Sequence, residues 1–290
     1  MGELKTWLGT ASPAFATAGN WSPAVAPVDT DLLMFNDQAQ QGCLTGADAG
    51  TNGLTFPKVT VTKDYRFDLA GSGDPLDPTA ITEFCCEWGG DGDMYLDGAI
   101  TDGTIDCYGS GKIHSVSAIG SSLTLRAGHL NLQSGATITA DGTPPAFIEV
   151  AQRGGAASAF LEIDSGITLA NSDITVKSGQ FASASTVARF HVLGGAAYLR
   201  GTAASTADIP IVVEDGVFFW DSTGTLAIVD MIGGKLDATK YARVKTLTTL
   251  YMRDLAEVDL RAGGDHITVT SLWVLGQNSP MFSPGTKISV

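Results

Sequence analysis

The chain has 290 residues, of which 44% are hydrophobic and 17% are charged. This composition supplies enough apolar surface for a folded core and excludes an intrinsically disordered protein. The formal net charge of −14 repels phosphate groups and anionic lipids, and no apolar run approaches the roughly 20 residues that cross a bilayer, so the sequence predicts neither a nucleic-acid nor a membrane partner.

Residues 1–53 precede the regular part of the chain and contain two proline-bearing turns, around Pro23 and Pro27. The open end of a β structure exposes unpaired strand edges, and native proteins cover such edges. We therefore predict that residues 1–53 form an N-terminal arm that also caps the fold.

From residue 54 to residue 275 the chain is a series of short β-favouring segments separated by Gly, Asp, Ser and Asn. Each segment is too short for a helix, and apolar residues alternate with polar ones. The apolar positions recur about every seven residues, most clearly at Leu161, Ile167, Ile174 and Phe181. Three such units make a coil of about 21 residues, which lies within the repeat lengths of solenoid proteins.

The predicted fold class is therefore all-β, a single-stranded right-handed parallel β-helix of about ten coils. The β-helix spans residues 54–275, the cap and arm span residues 1–53, and a short C-terminal tail spans residues 276–290. Helix is nearly absent from this prediction. Residues 236–260 fit both a short helix and two further coils, because their apolar residues mix helical with alternating spacing.

The four cysteines offer a check on the coil length. Cys107 follows Cys86 by the length of one predicted coil, and Cys85 follows Cys43 by the length of two. We expect them to form a ladder on one inward face. Because no secretory signal peptide is recognisable, four cysteines in a chain of this length do not predict a disulfide framework.

No motif in the sequence names a reaction. The aspartates of DGDMYLDGAITDGTID, residues 91–106, suggest a calcium loop, but Tyr95 and Leu96 stand where an EF-hand needs an oxygen ligand and a glycine. Asp-Gly corners between coils explain the same letters. The four histidines have no paired metal-ligand spacing. We therefore predict no catalytic residue, no metal and no cofactor.

Aromatic residues suggest two kinds of contact. Trp88, Trp220 and Trp273 are candidates for stacking on sugar rings from outside the coils, although buried coils or a subunit interface explain them as well. Tyr198 and Phe218 are separated by nearly one predicted coil, and we expect their rings to stack between neighbouring coils.

The first 35 residues carry a pattern of their own, which consists of Trp7, Gly19-Asn20-Trp21-Ser22, Pro27, Asp31, Leu33 and Phe35. Followed by glycine-rich short repeats, it resembles the start of right-handed parallel β-helix proteins of bacteriophage virions and of some bacterial surface proteins. The bacterial surface members carry a signal peptide, and none is recognisable in this sequence. The resemblance therefore favours the phage particle, which is assembled in the host cytoplasm.

This resemblance implies a non-enzymatic protein on the capsid surface of a virion, most simply a trimeric decoration, or cement, protein that bridges subunits of the major capsid protein. Trp7, Trp21 and Phe35 are then the candidate capsid or subunit contacts, although filling the core explains these three side chains equally well. The alternative is a tail fibre or tailspike-type protein that binds, and in some members cleaves, host surface glycans. A secreted carbohydrate-active enzyme is a third hypothesis, which would need export.

Overall fold

The computed structural model describes residues 2–115, 118–138, 146–154, 158–167, 169, 172–206, 209–240, 244–253, 255–261, 267–275 and 281–283. Strands hold 55% of the residues and helices 2%, and the strands form a parallel β-solenoid with about nine coils in all. The predicted all-β parallel β-helix is thereby confirmed. Within the described residues, no helix is long and apolar enough to cross a membrane.

The chain divides into two compact units. The first comprises Met1–Ala146 and Gln152–Phe160, and the second comprises Phe147–Ala151 and Leu161–Val290. Two strands, β11 (Ala146–Ala151) and β12 (Ala159–Ile163), contribute residues to both units. The units are thus bounded differently from the predicted arm, β-helix and tail.

The first unit contains a 3-10 helix (Ala18–Asn20), a short helix α1 (Ala47–Thr51) and ten strands. The strands are β1 (Leu4–Trp7), β2 (Trp21–Ser22), β3 (Leu32–Phe35), β4 (Thr55–Val61), β5 (Ala80–Cys86), β6 (Asp93–Leu96), β7 (Ala99–Asp106), β8 (Lys112–Ser115), β9 (Ala118–Leu132) and β10 (Thr137–Ile138). Apart from the antiparallel pair β1–β2, the strand pairs described in this unit are parallel.

The second unit alternates strands between two sheets. The strands are β13 (Ser172–Ser178), β14 (Gln180–Ser183), β15 (Arg189–Val192), β16 (Ala196–Gly201), β17 (Ile211–Val213), β18 (Val217–Ser222), β19 (Leu226–Met231), β20 (Lys235–Asp237), β21 (Lys245–Met252), β22 (Glu257–Asp259), β23 (Ile267–Val274) and β24 (Met281–Ser283). Odd-numbered strands pair with odd-numbered ones and even-numbered strands with even-numbered ones, all in parallel. Each coil therefore contributes one strand to each sheet.

Two segments that the sequence leaves open or unstructured are strands. Residues 236–260 contribute to β20, β21 and β22. Of the two interpretations of this segment, a short helix or two further coils, the second is therefore correct for the residues that are described. Within the predicted tail at 276–290, β24 pairs in parallel with β22 and adds a strand. The rest of the tail lies outside the described residues.

A column of glycines forms the corner between the two sheets of the second unit. Gly195, Gly216 and Gly234 have φ values of +73°, +78° and +64°. A Cβ at Gly216 would lie 2.5 Å from the carbonyl oxygen of Gly195, and a Cβ at Gly234 would lie 2.8 Å from that of Gly216. The residue after each glycine donates its amide to the glycine one coil earlier, as in Val217 N to Gly195 O at 2.9 Å. At Gly195, Gly216 and Gly234 only a residue without a side chain fits this stack.

We expect Gly216→Ala to lower the free energy of unfolding by about 2–5 kcal/mol, because it combines an unfavourable left-handed alanine with a backbone clash. Gly201 is the matched control, since its φ is +61° and a Cβ there would meet nothing within 4 Å. Gly201→Ala should lose only about 1–2 kcal/mol. Urea unfolding measures both variants, and equal losses would contradict the role of the close approach.

An aromatic cluster fills the N-terminal part of the first unit. Trp7 and Trp21 meet edge to face with ring centroids 5.1 Å apart, and Phe35 lies 5.9 Å from Trp21. Both indole nitrogens are satisfied, because Trp7 donates to the carbonyl of Gln41 at 2.9 Å and Trp21 donates to that of Phe15 at 2.7 Å. This cluster is a buried core of stacked rings, and the predicted capping role of residues 1–53 stays a prediction.

Trp21→Ala should lower the free energy of unfolding by about 3–5 kcal/mol, because it leaves a large cavity among packed rings and removes a buried hydrogen bond. Val28, which is exposed in the same segment, provides the control. Val28→Ala should change the free energy by less than about 0.5 kcal/mol in the same urea titration. A loss below about 1 kcal/mol for Trp21→Ala would contradict the packing described for this cluster.

Half of the predicted cysteine ladder is correct. Cys86 and Cys107 are buried, and their sulfur atoms lie 3.9 Å apart on neighbouring coils. The prediction that Cys43 and Cys85 share the inward face is wrong. Cys43 forms a β-bridge with Leu69 and faces inward. Cys85 faces outward, between its sheet neighbours Thr60 and Thr104. All four cysteines are free thiols.

Alkylation by iodoacetamide should separate these thiols. Burial raises the pKa of Cys43 and of Cys86, so neither thiolate forms readily in the folded protein. Partial burial and the hydrogen bond to Glu83 raise the pKa of Cys85 as well, but Cys85 is only half-buried and accessible to the reagent, so it should be the site modified first. Mass spectrometry of the folded protein should locate a single early adduct at Cys85, and Cys85→Ser should abolish it. Early labelling of Cys86 or Cys107 would contradict the packing described.

Candidate functional site

The three predicted contact residues Trp7, Trp21 and Phe35 are all buried. Their side chains contact one another and the surrounding core, so their rings are not available to a capsid or to another subunit. The structure therefore favours the alternative that they fill the core.

Two of the three predicted sugar-stacking residues are also buried. Trp88 is covered and donates its indole N–H to the carbonyl of Phe67 at 2.9 Å. Trp220 is covered, with the ammonium of the buried Lys245 at 5.3 Å from its ring centroid. The sugar-stacking prediction is wrong for these two residues because they point inward. Trp273 is different, since 55% of it is exposed.

The predicted aromatic stack of Tyr198 exists with a different partner. Tyr198 pairs with Phe219 in the sheet, and their rings stack at 4.5 Å with an interplanar angle of 5°. Phe218 points into the core opposite Ala197. The prediction is off by one position, and in a strand a shift of one position moves the side chain to the opposite face.

The aspartates of residues 91–106 do not converge on one point. Asp91 accepts hydrogen bonds from the backbone amide and the hydroxyl of Ser110, which lower its pKa. Asp102 accepts from the hydroxyl of Ser122 at 2.8 Å. These side chains pair with residues about one coil later. Among the residues that the structure describes, no group of three or more His, Cys, Asp or Glu side chains is placed to hold a metal ion.

One candidate surface lies at the corner where β19, β21 and β23 end. We call it the apolar corner, and it consists of Ile232, Tyr251, Leu255, Trp273 and Leu275. Tyr251 and Trp273 are neighbours in the sheet. The other three lie in the turns that follow these strands, where 41% of Ile232, 80% of Leu255 and 39% of Leu275 is exposed. Large apolar side chains grouped on a surface mark contact sites more often than isolated ones do.

The charged groups described within the apolar corner neutralise each other. Asp230 is the sheet neighbour of Tyr251. The guanidinium of Arg253 forms a two-point ion pair with the Asp230 carboxylate, at 2.9 and 2.8 Å. Among the described residues of this surface, the charges of Asp230 and Arg253 therefore compensate each other, on a chain whose net charge is −14. Asp254, which precedes Leu255 in the sequence, lies outside the described residues.

A second candidate surface is a cavity of about 220 Å³ in the first unit, which we call the Tyr95 groove. Its lining residues are Ser72, Pro75, Tyr95, Leu96, Asp97, His114 and Gln133. Tyr95 on β6 and His114 on β8 are neighbours in the sheet, and their rings stack at 4.7 Å with an interplanar angle of 9°.

Polar contacts fix the ring of His114 in the Tyr95 groove. Its Nε2 lies 2.9 Å from a carboxylate oxygen of Asp93, and its Nδ1 lies 3.2 Å from the side-chain nitrogen of Gln133. Burial, followed by the carboxylates of Asp93 and Asp68, raises the pKa of Tyr95. The Tyr95 hydroxyl therefore keeps its proton and can donate a hydrogen bond at neutral pH.

One wall of the Tyr95 groove is a loop that leaves the sheet. Leu69 pairs with Met94, and Leu76 pairs with Leu96. A regular strand would place a single position between these two pairs, opposite Tyr95, whereas here residues 70–75 form a loop. The coil before Tyr95 thus lacks a strand residue at the level of its ring.

Neither surface is evident in the sequence. Trp273 is recognisable as an aromatic candidate, but its neighbours are known only once the lengths of the coils are known. The only signal for the Tyr95 groove is the Gly- and Pro-containing segment Gly71–Pro75, which predicts a turn. It does not show which side chains that turn faces.

Comparison of the chain with protein-family models, curated proteins and solved structures finds no match. The resemblance of the first 35 residues to phage β-helix proteins accordingly remains an expectation. The function has to be argued from the two surfaces.

Proposed function

We propose that the protein is a non-enzymatic structural protein of a bacteriophage virion, a β-helical decoration protein that binds the capsid surface. The apolar corner is the observation that carries the proposal, because it suits a protein that acts through protein–protein contact. The resemblance of residues 1–35 supplies the virion context and the major capsid protein as partner.

Further copies of this chain are the occupants that we assign to the apolar corner, with a trimer as the assembly. Copies that each carry a net charge of −14 repel one another wherever acidic surfaces meet. At the apolar corner Arg253 pairs with the Asp230 carboxylate and so lowers this repulsion, while Trp273 and Leu275 supply apolar area. We therefore assign the contact between these like-charged copies to the apolar corner.

The edge of β23 supports the same assignment. Among the described strands, β23 pairs only with β21. An unpaired strand edge offers backbone N–H and C=O groups to another chain. In such an assembly, the acidic surface that stays outside the subunit contacts suits a basic patch on the major capsid protein.

The double variant Ile232→Ser and Trp273→Ser should shift the protein from trimer to monomer, because it removes two exposed apolar side chains of the apolar corner. Sedimentation velocity at several protein concentrations measures the shift. Val25→Ser, which alters an exposed apolar residue of the first unit, is the control and should leave the trimer intact. A wild-type protein that stays monomeric up to the highest concentration at which it is soluble would contradict the proposed assembly.

Binding to the proposed partner, the major capsid protein, can be tested with capsids that lack their decoration protein. Purified protein should cosediment with such capsids and raise their melting temperature, with binding that weakens at high salt because charge complementarity contributes. Loss of trimers in the double variant should weaken capsid binding. Failure of the wild-type protein to bind and to raise the melting temperature would remove the decoration role.

A tail fibre or tailspike-type protein that binds host surface glycans is the second candidate function. The observation that favours it is the Tyr95 groove, which combines a ring stack with carboxylate and amide groups. If the protein binds capsids and added glycans do not change that binding, the decoration role is favoured over the glycan-binding role.

A further inference from the structure

We propose that the Tyr95 groove binds a single neutral sugar ring, held against the face of Tyr95 that looks away from His114. This inference does not depend on the proposed capsid role. It rests on the shape of the cavity, on the face of Tyr95 that no strand residue covers and on the polar groups at the rim.

The open face of Tyr95 supplies the binding platform. On its other face Tyr95 stacks on His114, its neighbour in the sheet. The equivalent position in the coil before Tyr95 is vacated by the loop 70–75. A planar or chair-shaped ring placed there would stack on Tyr95 as His114 does on the opposite face. The apolar C–H face of a sugar is suited to an aromatic ring with one polar end.

The polar rim suits hydroxyl groups. Ser72 and Gln133 provide neutral donors and acceptors, Asp97 provides carboxylate oxygens, and the protonated Tyr95 hydroxyl provides a further donor. Small-molecule sites combine an apolar wall with a few convergent polar groups in this way. The carboxylate of Asp93 beside His114, the acidic residue Asp97 in the lining and the net charge of −14 together disfavour an anionic sugar, so the class of ligand is neutral.

The size of the cavity limits the ligand. A volume of about 220 Å³ is below the roughly 300–1,000 Å³ of sites for drug-sized ligands. The groove therefore accommodates one ring of a saccharide, with neighbouring rings outside it.

The loop wall is held in place before any ligand arrives. Ala70 has a φ of +63° and donates its amide to the carbonyl of Cys43 at 2.7 Å. Gly71 and Asp74 close the loop with two backbone hydrogen bonds of 3.1 and 3.0 Å, and the Asp74 carboxylate accepts from the amide of Gly46. A preformed wall reduces the entropy lost on binding.

Saturation-transfer NMR and calorimetry with the methyl glycosides of glucose, galactose and N-acetylglucosamine test the proposal on the full chain. At least one of these should bind the wild-type protein, and methyl glucuronide should bind more weakly than methyl glucoside. Tyr95→Ala should weaken binding at least about tenfold, Asp97→Asn should weaken it several-fold, and Tyr95→Phe should retain most of it because the ring stays.

Tyr198→Ala is the matched control, because Tyr198 also stacks on an aromatic neighbour on an outward face but lines no part of the Tyr95 groove. It should bind the glycosides as the wild type does. Absence of binding by the wild-type protein at millimolar glycoside, equal binding by folded Tyr95→Ala, or loss of binding in Tyr198→Ala would each overturn the proposal. Preference for the glucuronide would overturn the neutral class.

Discussion

The close approach of backbone to backbone at the glycine corner is the constraint on which the second unit depends. The carbonyls of Gly179, Gly195, Gly216 and Gly234 each accept an amide from the following coil at 2.9 Å. Because a side chain at Gly195, Gly216 or Gly234 would collide with the coil below, glycine allows one tight turn to lie directly on another. The corner therefore sets the register of both sheets, and the register decides which side chains point inward.

A common register has a functional consequence in each unit. Outward side chains at equivalent positions of neighbouring coils lie next to each other, so that aromatic rings stack in pairs, as Tyr198 does on Phe219 and Tyr95 does on His114. Binding surfaces arise where such a pattern changes. In the first unit it is interrupted by the loop 70–75, which leaves a cavity beside Tyr95. In the second unit most outward positions of β21 and β23 carry Thr or Ser, and the pattern changes at the last outward pair, Tyr251 and Trp273.

The sequence predicts the fold class better than it predicts the sites. Short alternating segments indicate parallel coils. The spacing of Cys86 and Cys107 brings their sulfur atoms together on neighbouring coils, although the sheet partner of Cys86 is Ile105. The assumption of a constant coil length fails, because the sheet partners Val59 and Phe84 are much further apart in the sequence than the sheet partners Ile174 and Phe190. An error of one position reverses the side of a strand, so counting along the sequence leads to Phe218 in place of Phe219. Whether a tryptophan on a strand is exposed depends likewise on which side of the strand its position faces.

Amide hydrogen exchange measured by NMR tests the stacked corner most directly. The amides of Ala196, Val217, Lys235 and Glu257 lie at the ends of short strands, where fraying would make exchange fast. If the coils stack through the glycine carbonyls, these four amides should exchange as slowly as those in the middle of the sheets. Exchange of all four within minutes, while amides within the strands remain protected, would contradict the account.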